Sequence, residues 1–109
     1  MRGNTVVSCG TTGTGITANF SSVTGNFVGF CRDGIDAFGG VVSGNTVEEN
    51  SGTGIIINEG TVIGNNATGN GVGISATCPS NLTDNTAVGN GTNLVLNGTD
   101  CHNEDNLAP

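Results

Sequence analysis

The residues best equipped for chemistry are carboxylates. Arg32-Asp33-Gly34-Ile35-Asp36 sets two acids and a base within one short segment, and Glu48 and Glu49 follow. Paired carboxylates act as acid and base in glycoside hydrolysis, and they also supply the hard oxygen ligands that calcium prefers. Asp33, Asp36, Glu48 and Glu49 are therefore a candidate acidic patch, with calcium as a candidate ion. The plainer reading, which the sequence favours, is a solvated salt-bridge patch. Other reactive types are sparse. His102 is the only histidine, the four cysteines include no CxxC pair, and the sequence names neither a catalytic residue nor a metal site. Phrases such as GTGI at 13–16 and 52–55 suggest a phosphate loop by composition, but the chain has no lysine to complete one.

Charge narrows the partners. Nine carboxylates against Arg2 and Arg32 give a net charge of −7. Neither nucleic acid nor an anionic membrane surface is an expected partner of such a chain. No apolar run approaches the 18 or so residues of a transmembrane helix, and MRGNTVVSCG lacks the apolar segment of a signal peptide. The expectation is a fragment of a longer protein or a mature segment.

Any site must be positioned by a repeat. Asn4, Asn26, Asn45, Asn65 and Asn85 recur in the related phrases RGNTV, TGNFV, SGNTV, IGNNA and TDNTA, and Asn106 continues the series. Midway through each unit stands Gly15-Ile16, Gly34-Ile35, Gly54-Ile55, Gly73-Ile74 or Asn93-Leu94, and three residues before the marker lies Val23, Val42, Val62 or Leu82. Units of about 20 residues with short apolar anchors and no helical period predict a parallel β-solenoid, its coils about 4.8 Å apart. The best unit places strands around Val42, around Val47 and over 55–57, with Ile55 and Ile57 inward and Ile56 outward. About five coils make one domain over 1–109, on the order of 25 Å long, with 95–109 as its closing segment.

The phrases GNTV, GTGI and GNGVGI, together with the closing stretch from CPSNL to NLAP, resemble the right-handed parallel β-helix family, the pectin-lyase-like fold, and more narrowly its NosD-like short repeats. The resemblance covers essentially the whole chain. It implies an all-β, right-handed single-stranded solenoid. For activity it implies a range, from polysaccharide lyases and hydrolases to surface proteins and fibre parts. The enzymes of that fold carry carboxylates on an outer strand face, where Asp36 is expected here. The equivalent positions in neighbouring units are Thr17 and Ile56, however, and Glu48 and Glu49 belong to another strand.

Asparagine suits solenoid corners because its amide bonds nearby backbone and can stack between coils. Asn50, Asn70 and Asn90 form a second expected ladder, five residues after their markers. In the first two units that place is held by Cys9 and Cys31. Equivalent atoms of adjacent coils fall within disulfide reach, so Cys9 is expected to pair with Cys31, and Cys78 with Cys101 one coil apart near the closing segment. Free thiols and a metal site are the alternatives. Two disulfides would suit an extracellular, cell-surface or periplasmic setting.

Phe20, Phe27, Phe30 and Phe38 are expected to fill or cover wide early coils, with sugar stacking as the alternative. Sequons at Asn19, Asn66, Asn81 and Asn97 matter only in a glycosylating host, and His102 is expected in an exposed end loop. A solenoid edge exposes unpaired backbone, and Arg2-Gly3-Asn4 starts in full register without a recognisable cap. The leading expectation is a non-catalytic structural module that stacks through this edge onto upstream coils, a second subunit or a filament. A carbohydrate-binding segment, with a polysaccharide as partner, and a piece of a polysaccharide-active enzyme follow.

Overall fold

The computed structural model describes all residues from Met1 to Pro109. Its strands are short because a corner follows each one. The first coil carries β1 (Thr5–Val7), β2 (Thr14–Asn19) and β3 (Ser22–Thr24), and the second carries β4 (Phe27–Gly29), β5 (Asp33–Phe38) and β6 (Val41–Ser43). The third follows with β7 (Thr46–Glu48), β8 (Thr53–Asn58) and β9 (Thr61–Ile63), the fourth with β10 (Asn66–Thr68), β11 (Val72–Thr77) and β12 (Asn81–Thr83). The last contains β13 (Thr86–Val88), β14 (Thr92–Asn97) and β15 (His102–Glu104). Equivalent strands pair in parallel into three sheets: sheet I in the order β1-β4-β7-β10-β13, sheet II β2-β5-β8-β11-β14 and sheet III β3-β6-β9-β12-β15. This is the all-β solenoid of about five coils expected from the repeat.

The register follows the sequence repeat residue by residue. Val42 faces Val23 and Val62, Val47 faces Val28 and Ala67, and Ile55 lies between Ile35 and Ile74. Each of these side chains is essentially buried, as is Ile57, while Ile56 is only partly covered. The core is thus a set of stacked columns of Val, Ile, Leu and Ala, which no coil could bury alone.

Corners turn through left-handed backbone. Between sheets III and I the residue before the marker has φ between 55° and 67° in every coil, at Gly3, Gly25, Gly44, Gly64, Asp84 and Asp105. A residue with no side chain, such as Gly44, adopts this without steric cost, and Asp tolerates it. A second glycine column has a different cause. A Cβ on Gly54 would lie 2.7 Å from the Gly73 carbonyl oxygen and 2.8 Å from Asn70 Nδ2. Close approach of the next coil, rather than dihedral angle, excludes a side chain there.

The phenylalanines do not fill the coils. Phe20 is 77% exposed, Phe30 56% and Phe38 43%, while the core beside them is supplied by Val28, Ile35 and Ala37. Phe20 and Phe30 stand at left-handed corner positions, φ 49° and 58°, which turn their side chains away from the axis. His102 lies in β15 rather than in a loop, its Nε2 3.2 Å from Glu104 Oε2.

Candidate functional site

The acidic residues separate. Asp33 is largely buried at the start of β5, where Oδ2 accepts from Arg32 Nε at 2.8 Å and Oδ1 accepts from the Thr53 amide at 2.9 Å. Its oxygens hold the start of the next strand, a structural task. Asp36 lies between Thr17 and Ile56 on sheet II, Glu48 stands on sheet I, and Glu49 occupies an exposed corner. No three His, Cys, Asp or Glu side chains gather closely enough to hold a metal ion.

Two shallow grooves follow the corners. One, of about 300 Å³, runs past Glu59, Ser80 and Asp100 and has no hydrophobic lining residue. Ser80 Oγ donates to the Thr77 carbonyl at 2.7 Å and accepts from the Gly60 amide at 3.2 Å, so its hydroxyl is held by backbone rather than by a side-chain base. The other, about 350 Å³, lies beside Phe30, Cys31 and Glu49. Phe20 and Phe38 form an exposed edge-to-face pair with ring centroids 5.4 Å apart.

The asparagines are organised more tightly than any of these. In the marker ladder each amide donates to the next coil: Asn4 Nδ2 to Asn26 Oδ1, then Asn26 to Asn45, Asn45 to Asn65, Asn65 to Asn85 and Asn85 to Asn106, all within 2.8–3.0 Å. The same Oδ1 atoms also accept the backbone amide of the preceding marker. The second proton of Asn45, Asn65 and Asn85 goes to the carbonyl of Val23, Val42 and Val62. Every buried polar side-chain atom in the molecule has a partner. The ladder is therefore saturated inside and directional, with donors pointing towards the C-terminal coil. Asn4 Oδ1, in the first coil, accepts nothing.

The second ladder runs from the Cys31 amide to Asn50 Oδ1, then from Asn50 to Asn70 and from Asn70 to Asn90. Cys9 and Cys31 form a disulfide with Cα atoms 4.5 Å apart, and Cys78 and Cys101 form another at 4.9 Å, each joining adjacent coils. Asn90 heads a further sequon, Asn90-Gly91-Thr92, which follows from the sequence rule alone. Its amide is committed to Ala67, Val88 and Asn93, whereas Asn19, Asn66, Asn81 and Asn97 are exposed.

The two end faces differ. The N-terminal face presents Asn4 Oδ1, partly buried Val6 and Ala18, and the Met1–Gly3 segment lying over β3, while Ile16 is already buried. On the C-terminal face, Asn93 occupies the column held by Gly15, Gly34, Gly54 and Gly73, and its Oδ1 accepts both the backbone amide and the Nδ2 of Asn90. Asn103 faces Leu82 in the core column of sheet III, and its Oδ1 accepts from Asn106 Nδ2. Sequence reading missed both roles. The signal was a polar residue at a glycine position and another at a Val or Leu position, both in the last coil. The chain matches no family model, no curated protein and no solved structure.

Proposed function

We propose that this chain is a non-catalytic structural β-solenoid module that stacks through its N-terminal face onto further coils or another subunit. The observation that carries the reading is the ladder. The ladder asparagines spend their amides on coil-to-coil bonds, and the first of them keeps an acceptor turned along the solenoid axis. Val6 and Ala18 beside it, only partly buried, supply apolar surface of the kind each coil already buries against its neighbour. The pectin-lyase-like and NosD-like resemblance belongs to the same proposal, as one source of such stacked coils. Two disulfides support an oxidising setting, and an extracellular, cell-surface or periplasmic location is proposed with them.

Equilibrium unfolding of an extended chain tests this. A copy of residues 42–61 joined ahead of Met1 continues the repeat in register, since Met1 occupies the place of Val62. Stacking predicts a higher denaturant midpoint and a larger m-value than for the parent chain, because more surface is buried in one cooperative unit. An unchanged midpoint would count against the proposal.

A second reading rests on the Phe20–Phe38 pair, whose exposed rings suit stacking on a sugar. A glycan array probed with the parent chain and with Phe20→Ala should then show binding that the substitution removes. No binding by the parent chain would end that reading.

A further inference from the structure

The faces of the solenoid are not equivalent, and the difference lies in Asn93 and Asn103. In the four preceding coils the Asn93 position is glycine, and the Cβ that Gly73 lacks would lie 2.6 Å from the Asn93 carbonyl oxygen and 2.7 Å from Asn90 Nδ2. By the same geometry, the Cβ that Asn93 does possess points at the place a following coil's carbonyl would take. Its carboxamide also turns back into the second ladder. Asn90 donates its backbone amide and Nδ2 to Asn93 Oδ1 at 3.1 and 3.0 Å, as Asn70 donates both groups to Asn90 one coil earlier, and Asn93 Nδ2 donates onward to the Pro109 carbonyl at 2.8 Å. Asn93 thus fills the seat of the next ladder asparagine from within its own coil. In sheet III, Asn103 replaces the Val or Leu of the core column, and another coil laid over it would bury amide groups with no partner to replace water.

We infer that the C-terminal face is closed to a further coil by Asn93 and Asn103, so that the module takes a coil at its N-terminal face alone and identical copies do not grow head to tail. The occupant of the N-terminal face is a parallel coil of the same repeat with an asparagine at the marker position. Asn4 Oδ1 is there to accept that asparagine's amide, so the occupant continues the interface each coil already makes with the next. At the second ladder Cys9 offers no such oxygen, so the incoming coil needs no asparagine there. This rests on the stacking reading above and assigns it a direction.

The test is a copy of residues 69–88 joined after Pro109, where it continues the repeat in register, on the parent chain and on Asn93→Gly/Asn103→Val. Hydrogen exchange reads each added coil. On the parent chain the added amides should exchange at unstructured rates, and on the double variant they should slow by about tenfold or more. Protection on the parent chain, or its absence on both chains while Ile55 in the core stays protected, would overturn the inference. If the double variant does not fold, Asn93→Gly alone without an added coil provides the reading. The Asn90 amide should then exchange faster than in the parent, and an unchanged rate would overturn the ladder-capping role. The stacking reading is judged at the opposite end by the N-terminal extension, so failure of one is distinguishable from failure of the other.

Discussion

At Asn45 one side chain satisfies four partners: its Oδ1 takes two hydrogens from Asn26, and its Nδ2 donates to Asn65 Oδ1 and to the Val23 carbonyl. Asn45→Ala strands these groups in a dry interior, and since each unpaired buried group costs about 1–3 kcal/mol, a loss of at least about 3 kcal/mol is expected in urea unfolding. Asn45→Asp keeps an acceptor for Asn26 but sets a carboxylate against Asn65 Oδ1, so it should also destabilise, and more strongly as the carboxylate ionises. The glycines separate into two kinds by a similar experiment. Gly54→Ala must displace backbone of the next coil and should cost about 1–3 kcal/mol as an overpacked site. Gly64→Asp has open space and a φ of 65° that Asp84 and Asp105 already adopt in its column, so its midpoint should shift by less than about 1 kcal/mol. The marker ladder was legible in the sequence because buried asparagine must recur at one spacing to bond from coil to coil. Asn93 was not, because its role depends on where a Cβ points, and that is a property of the folded corner.

Strands and corners were legible to different degrees. The inward positions of β6, β7 and β8 follow from apolar spacing, since a shift by one residue would turn Val42, Val47 and Ile55 out to water. The corner columns were less so, because left-handed φ at Phe20, Phe30, Glu49 and Glu59 is imposed by the turn of the coil and not by the residue type. This is also why, of filling or covering the early coils, Phe20 and Phe30 do not fill: the corner geometry sends them outward however apolar they are. The disulfides are element-level staples between adjacent coils. Cys78→Ala/Cys101→Ala should cost about 2–4 kcal/mol, with the amides of β15 losing protection first in hydrogen exchange. Cys9→Ala/Cys31→Ala should instead loosen β1 and the six-residue corner that joins it to β2. Uniform loss of protection throughout the molecule in either variant would argue against local stapling.

On the scale of the whole molecule, 109 residues with 34% hydrophobic content build a body of 34 × 27 × 20 Å whose interior is a column only one coil wide. Stability then grows with the number of coil-to-coil interfaces, as in other one-dimensional repeats, and the end faces become the places where function and stability meet. The overall architecture was readable from the repeat because every coil obeys the same packing constraints. The contrast between the faces was not, because it rests on departures from the repeat at single positions. The most direct test of the stacking account is hydrogen exchange at the Thr5 amide in the chain extended ahead of Met1 by residues 42–61. Phe27, Thr46, Asn66 and Thr86 each donate their amide to the carbonyl of the preceding coil's marker asparagine, and Thr5 holds the equivalent place in β1. The account predicts that Thr5 exchanges about tenfold or more slowly once the added coil is present. An unchanged Thr5 rate, with the added residues exchanging as unstructured chain, would contradict it.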